Sequence, residues 1–169
     1  EGHTNHVNAV ACYDAGDRLC VVSGGYDGTV RVWDGDAGGA PLTTFDAGNV
    51  KSLAIYGEGD ARRIVSGGKG VVQVWDAVAG GKPLLKVKTA GGVFAVTWYD
   101  EGDARRIVSG GQAGVSVFDA DAGGAPLLKL DAGEVRALTI YGEGDARRIV
   151  SGGKQGVQVW DAVAGGKPL

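Results

Sequence analysis

The stretch SGGYDGTVRVWD at residues 23–34 recurs three times along the chain in shortened form. The later copies are SGGKGVVQVWD at 66–76, SGGQAGVSVFD at 109–119 and SGGKQGVQVWD at 151–161. Each copy follows an apolar run and contains Ser-Gly-Gly, a short turn, and an alternating run that ends in an aromatic residue and Asp. Two strand patterns separated by turn residues predict a β-hairpin, so the chain is expected to repeat one hairpin four times.

Residues outside the hairpin keep the same period of about 42–43 residues, which is typical of propeller blades. The markers are Tyr13, Tyr56, Tyr99 and Tyr141, and Pro41, Pro83, Pro126 and Pro168. We therefore place four repeats at about 1–45, 46–87, 88–130 and 131–169, in one propeller segment that spans 1–169. The last repeat lacks most of the outer strand that the others contain.

Each of the first three repeats contains four strand patterns, and the last contains the first three of them. In the first repeat they are VNAVACY at 7–13, RLCVVSG at 18–24, TVRVWD at 29–34 and PLTTF at 41–45. The first is almost wholly apolar, which predicts an inner strand that is buried on both faces. The last begins with Pro, which suits an outer edge strand. The sequence predicts an all-β protein with four-stranded antiparallel blades.

Dipeptides at fixed places in the repeats carry a resemblance to a known family. They are Gly2-His3 near the start, Trp33-Asp34, Trp75-Asp76 and Trp160-Asp161 at the ends of the hairpins, and the variant Phe118-Asp119. With these dipeptides and this period, the chain resembles the WD40 family of β-propellers over its full length. The resemblance implies a non-catalytic scaffold that binds a peptide or protein on its top rim.

The resemblance also implies a buried hydrogen-bonded tetrad in the first repeat, formed by His3, Ser23, Asp27 and Trp33. A buried imidazole and a buried indole N–H need partners, so a network of this kind is expected to be structural. The later repeats keep Ser66, Ser109, Ser151 and an aromatic residue but lack the His and the Asp. Both losses accompany shorter loops, as expected if the two residues act together.

The positions that recognise partners in the family define a candidate binding rim. Those before the turn Asp, carried over to this chain, are Tyr26, Lys69, Gln112 and Lys154. Those that flank the first Val of strand one include His6, Asn8, Lys51, Phe94 and Arg136. Aromatic, basic and amide groups of this kind are common in protein interfaces. In repeats this regular, the alternative is that these positions are simply solvated.

A second layer of repetition links alternate repeats. IYGEGDARRIVSGGK occurs at 55–69 and again at 140–154, and DAGGAPL occurs at 36–42 and at 121–127. The duplicated unit is therefore a pair of blades, which favours an even blade number. Because WD40-like blades suit rings of seven or eight, four blades predict half of an eight-bladed ring that a homodimer closes. The alternatives are a longer propeller chain, or a repeat array, natural or engineered, whose main activity is self-assembly.

The sequence contains no constellation for catalysis, so we expect no enzyme and no cofactor. It has neither a Gly-x-Ser-x-Gly elbow nor a phosphate-binding loop. His3 and His6 are the only histidines, and no Cys or further His supports a metal site for them. A net charge of −3 with interspersed signs predicts no nucleic-acid partner and no membrane partner, and we expect a cytoplasmic protein.

Two further features allow expectations that the structure can test. Cys12 and Cys20 are expected to be small buried residues on neighbouring strands, with a cross-strand disulfide as the alternative. Paired arginines begin the second strand of the later repeats, at 62–63, 105–106 and 147–148, beside Asp60, Asp103 and Asp145. We expect salt bridges with these acids, and the alternative is a site for an anionic ligand.

Overall fold

The computed structural model describes residues 2–169, so only the first residue of the predicted repeat 1–45 lies outside the described residues. The chain forms four separate antiparallel sheets, which we call blades 1–4. Blade 1 contains β1 (Val7–Asp14), β2 (Leu19–Gly25), β3 (Thr29–Asp34) and β4 (Thr43–Asp46). Blade 2 contains β5 (Val50–Tyr56), β6 (Arg63–Gly68), β7 (Val71–Asp76) and β8 (Leu85–Lys88). Blade 3 contains β9 (Val93–Glu101), β10 (Ala104–Gly111), β11 (Gly114–Asp119) and β12 (Leu128–Leu130).

Blade 4 contains three strands, β13 (Val135–Tyr141), β14 (Arg148–Gly153) and β15 (Gly156–Asp161). Within every blade each strand pairs with its neighbour in the chain, which confirms the prediction of an all-β fold with antiparallel blades. The Leu169 amide donates to the Val159 carbonyl at 2.9 Å, as the Leu42 amide donates to Val32 at 2.7 Å where the outer strand of blade 1 begins. The described residues contain no fourth strand beside β15.

Alternation along the strands gives each blade two apolar faces. In blade 1 the pairing of Val21 with Trp33 places both on one face, which we call the front. The pairing of Val22 with Val32 places those residues on the back face. The back face of each blade packs on the front face of the next, so Val22 and Val32 share a buried cluster with Trp75 of blade 2. Two similar clusters join blades 2 and 3 and blades 3 and 4.

The two end blades each leave one face uncovered. On the back faces the equivalent residues are Val30, Val72, Val115 and Val157, which are 0%, 1%, 0% and 77% exposed. On the front faces they are Val7, Val50, Val93 and Val135, which are 46%, 1%, 2% and 1% exposed. The prediction that every inner strand is buried on both faces is therefore wrong for β1 and β13, because no neighbouring blade covers their outer side.

Glycines in the second strand allow the blades to approach closely. A methyl group added at Gly24, Gly67 or Gly110 would lie 2.5, 2.7 or 2.6 Å from a valine methyl of the next blade. The equivalent position in blade 4 is Gly152, where the nearest atom, Ala137 Cβ, would be 3.8 Å away. The sequence therefore keeps a glycine at the one such position that contacts no following blade.

Both cysteines are free, and they lie on opposite faces of blade 1. Cys12 pairs with Val21 on the front face, whereas Cys20 pairs with Tyr13 on the back face. Cys20 is buried against blade 2, but Cys12 is exposed. The expectation that both are buried is wrong for Cys12, because its face has no neighbouring blade. A disulfide between side chains on opposite faces is excluded by the same pairing.

Candidate functional site

Five of the predicted rim residues line one concavity of about 230 Å³. We call them the rim cluster, and they are Asn8, Tyr26, Lys51, Phe94 and Arg136. Four of them directly follow the first Val of the inner strand in their blade, and Tyr26 lies between β2 and β3. Residues at equivalent positions of the four repeats therefore lie close together in the structure.

A β-bulge in each inner strand positions these side chains. The pairing shifts by one residue between Val7 and Ala9, between Val50 and Ser52, and between Val135 and Ala137. In blade 3 the shift lies between Gly110 and Gly111, opposite the segment from Val93 to Ala95. The skipped residues are Asn8, Lys51, Phe94 and Arg136. Because a bulged residue leaves the ladder and is re-aimed, the bulges direct all four away from the blade faces.

Two cations contact one aromatic ring at the centre of the rim cluster. Lys51 Nζ lies 4.3 Å from the centroid of the Phe94 ring, and Arg136 Cζ lies 4.1 Å from the same centroid. Glu134 pairs with Arg136 at 2.7 Å. The Asn8 amide donates to the Val50 carbonyl at 2.8 Å, which joins blades 1 and 2 beside the cluster. The cluster therefore has a net positive charge and an aromatic centre.

The other predicted rim residues lie outside the concavity. Gln112 accepts a hydrogen bond from the Gly92 amide at 2.7 Å, so its side chain braces the loop before β9. Lys69 and Lys154 are exposed in the turns that follow β6 and β14. His6 lies beside the cluster, with its ring 6.4 Å from the Tyr26 ring in an edge-on arrangement.

The structure brings the four residues of the expected tetrad into one chain of hydrogen bonds. Trp33 Nε1 donates to Ser23 Oγ at 2.7 Å, and Ser23 Oγ lies 2.7 Å from His3 Nε2. His3 Nδ1 lies 2.8 Å from Asp27 Oδ2. Because a carboxylate only accepts, the neutral imidazole carries its proton on Nδ1 and accepts the Ser23 hydroxyl proton at Nε2. Each polar group in this chain is therefore satisfied.

The first 34 residues carry both the tetrad and the bulge that places Asn8. The family model described as WD domain, G-beta repeat matches residues 1–34. The first repeat is therefore similar to a WD40 repeat. The search of curated proteins found no match. The match covers β1 to β3 of the first repeat. Blades 2 and 3 have the four-stranded topology of blade 1, and blade 4 has the same order over its three strands.

Ser23, His3 and Asp27 of the first repeat have the order of hydrogen bonds that serine hydrolases use. A catalytic serine needs access to substrate, but Ser23 is only 5% exposed. Its oxygen is also held by the indole N–H of Trp33. Ser66 and Ser151 accept the same bond from Trp75 and Trp160, at 2.9 and 2.8 Å, without any histidine. These contacts support a structural role for the tetrad.

Hydrogen bonds to the Asp27 carboxylate determine the direction in which its pKa shifts. Burial raises its pKa. Hydrogen bonds from the amide and hydroxyl of Thr29, from His3 and from the Thr4 amide together lower the pKa by more than burial raises it. The balance lowers the pKa of Asp27 from 3.8 to about 2. The Asp27 carboxylate is therefore ionised across the physiological pH range.

The paired arginines lie at the ends of the strands opposite the rim cluster, where they form salt bridges and stack on aromatic rings. Arg63 pairs with Asp76 at 3.2 Å, Arg106 with Asp119 at 2.6 Å and Arg148 with Asp161 at 3.2 Å. The expectation of salt bridges is confirmed, but the partners Asp60, Asp103 and Asp145 are wrong. The acid comes from the WD dipeptide, or Phe118-Asp119, because cross-strand pairing places Asp76, Asp119 and Asp161 opposite these arginines. Arg62, Arg105 and Arg147 stack on Tyr13, Tyr56 and Tyr99.

Two classes of feature are absent from residues 2–169. No group of three or more metal-binding side chains is found there. None of the helices formed by these residues is long and apolar enough to cross a membrane.

Proposed function

We propose that the chain is a non-catalytic interaction scaffold whose rim cluster binds a peptide or protein. The observation that carries the proposal is the convergence of five side chains from four repeats on one concavity. The sheets support these side chains from below through the bulges, so the cluster lies on a rigid base. WD40 repeats are generally found in scaffolds of this kind, and the match to the first repeat supports the same conclusion.

The chemistry of the rim cluster favours an acidic partner. Phe94 and Tyr26 supply aromatic surface, which often carries the binding energy of an interface. Lys51 and Arg136 both contact the Phe94 ring, and of these two cations only Arg136 has an acidic partner within 4 Å among residues 2–169. A carboxylate seated beside the ring would pair with Lys51 and gain a second hydrogen bond from Arg136.

A peptide-display selection tests this proposal. Immobilised protein is screened against a random peptide library, and the enriched peptides are titrated against Phe94→Ala and Lys51→Ala. We expect peptides rich in Asp and Glu whose affinity falls about tenfold or more in both variants, since hot-spot truncations cost over 1.4 kcal/mol. Lys154→Ala is the matched control, because it removes an exposed lysine of the same rim outside the cluster. Peptides that bind all three proteins equally would contradict the proposal.

A second candidate function is self-association into a closed ring, and the uncovered end faces favour it. The back face of blade 4 exposes Val157, whereas the front face of blade 1 exposes Val7 and Val10, at 46% and 70%. The same two kinds of face bury each other at every internal boundary between blades. We infer that blade 4 of one copy packs on blade 1 of a second copy, and two such contacts would close eight blades under two-fold symmetry.

Sedimentation equilibrium tests the second candidate. The expected species has twice the mass of the 17.1 kDa chain, and Val157→Lys should shift it to the monomer. Val78→Lys is the control, because Val78 is 58% exposed in the turn after β7 and lies on no blade face. A wild-type monomer at micromolar concentration, or a dimer that both variants keep, would reject this arrangement. The peptide proposal does not depend on the result.

A further inference from the structure

A cavity of about 250 Å³ lies between blades 2 and 3, and none of its lining residues belongs to the rim cluster. Its inner wall is the front face of blade 3, with Ser109 on β10 and Ser116 and Phe118 on β11. The segment 88–92, which connects blade 2 to β9, forms another wall. The remaining lining comes from Val93, Gly111, Ala113, Gly114, Pro126 and Lys129.

Two substitutions between repeats account for this cavity. Blades 2 and 4 carry Gln and Trp at the equivalent positions of the third strand, as Gln73 and Trp75 and as Gln158 and Trp160. In blade 2 these side chains are 2% and 1% exposed, so they fill the space against the preceding blade. Blade 3 carries the smaller Ser116 and Phe118. The space that a glutamine chain and part of an indole occupy elsewhere is therefore vacant.

The first blade fills the same region in another way. His3, Asp27 and Arg31 lie there in contact with one another. Blade 3 has no His or Asp at these positions, because its loops are shorter. Blade 3 is thus the one repeat of the four that lacks both sets of filling side chains.

The wall of the cavity contains a serine hydroxyl without a hydrogen-bond partner. Ser109 is 4% exposed. In blades 1, 2 and 4 the equivalent serine accepts the indole N–H at 2.7, 2.9 and 2.8 Å. Phe118 has no N–H, and no other residue within 2–169 makes a side-chain hydrogen bond to Ser109. The Ser109 oxygen opens to the cavity and is therefore free to accept a hydrogen bond from a bound donor.

Charge at the edge of the cavity adds a second requirement. Lys88 and Lys129 are both exposed and both line it. No Asp or Glu is present among the lining residues. The cavity therefore combines an apolar and aromatic interior, two serine hydroxyls without a side-chain hydrogen bond among residues 2–169, and two cations at its edge.

We propose that this cavity binds a small planar aromatic carboxylate that carries an N–H donor, of the indole-carboxylate class. The ring occupies the vacancy beside Phe118, the N–H donates to Ser109, and the carboxylate pairs with Lys88 and Lys129. An apolar cavity of about 150 Å³ is known to hold benzene, so about 250 Å³ is enough for a two-ring system. The ligand thus supplies the group that Trp supplies in the other three repeats.

Isothermal titration with indole-3-acetate tests the proposal, and indole alone is the second probe. We expect one site per chain, with indole-3-acetate binding more tightly than indole. The double variant Ser116→Gln, Phe118→Trp restores the side chains of blades 2 and 4 and should abolish binding of both probes. Because the new Trp fills the cavity and donates to Ser109, this variant should also unfold at a higher temperature. Unchanged binding by the folded double variant, or no binding of either probe by the wild type, would overturn the proposal.

Two smaller substitutions separate the contributions and do not depend on the double variant folding. Ser109→Ala should weaken both probes by about tenfold, since it removes the acceptor for the N–H. Lys88→Ala combined with Lys129→Ala should weaken indole-3-acetate but leave indole unchanged. The matched control is Lys154→Ala, which removes a lysine that does not line the cavity. Equal binding of indole-3-acetate by wild type and Ser109→Ala would contradict the proposed orientation and the proposal with it.

Discussion

The hydrogen bonds of Asp27 predict a strong energetic coupling to His3. Asp27 Oδ2 accepts from His3 Nδ1 at 2.8 Å and from the Thr4 amide at 3.1 Å. Its other oxygen accepts from the Thr29 amide at 3.0 Å and from the Thr29 hydroxyl at 2.9 Å. The side chains of His3 and Asp27 are 5% and 3% exposed, so water replaces these bonds poorly.

We expect Asp27→Ala to lower the free energy of unfolding by about 3 kcal/mol, because it leaves several buried donors without an acceptor. His3→Ala should cost about 2 kcal/mol, since Ser23 keeps its bond from Trp33. The double variant should cost less than the sum of the two, by about 1–1.5 kcal/mol, because the second truncation removes a group that the first has already orphaned.

Native-state hydrogen exchange of the β2 and β3 amides is the appropriate assay, since blades of a repeat protein can open separately. Urea unfolding followed by circular dichroism supplies the global value. Asp17→Ala is the control partner for His3→Ala, because Asp17 is exposed and pairs with Arg18 instead. Additive losses within about 0.5 kcal/mol for His3 and Asp27 would refute the claim that they form one unit.

The pH, packing and reactivity of the chain supply three more predictions. The pKa of Asp27 is lowered from 3.8 to about 2, so its contribution is present above pH 3.8 and is lost as the pH falls through 2; acid titration of Asp27→Asn should lack that loss. Gly67→Ala should destabilise the chain by about 1–3 kcal/mol in urea, because a methyl group there overlaps the next blade. Gly152→Ala should not destabilise the monomer, and an equal loss would show that the face of blade 4 is covered. Cys12 should react with a thiol reagent in the native state and Cys20 only after unfolding, and equal rates would contradict the assigned faces.

Most of the fold could be predicted from the sequence because its signals are local and repeated. Each signal depends on only a few neighbouring residues. Examples are the turn between β2 and β3, the alternation that ends in Trp33, and the Pro before β4. Repetition of these signals removes most of the ambiguity of a single strand. The exposure of Val157 has no local signal, because its sequence context resembles that of the buried Val115 and only the absence of a following blade differs.

The candidate site was likewise predictable from the sequence only in part. The resemblance to the family identified Lys51 and Phe94 as rim residues. The bulges that bring these residues together are not marked by any characteristic residue in these strands. The change from Gln73 to Ser116 is visible in the sequence. Its meaning is not, because the resulting cavity depends on the segment 88–92 that covers it from the preceding blade.

The identical strands β6 and β14 have a consequence for folding. Both read RIVSGG, and each lies between an inner strand and a QVWD strand of similar sequence. Either strand can therefore insert between the neighbours of the other with little loss of pairing energy. Such an exchange within one chain produces a misfolded species in which blade 3 forms a loop between wrongly paired strands. An exchange between chains produces a domain-swapped dimer. Refolding is thus expected to pass through kinetic traps whose yield rises with protein concentration, even though each native blade is well specified.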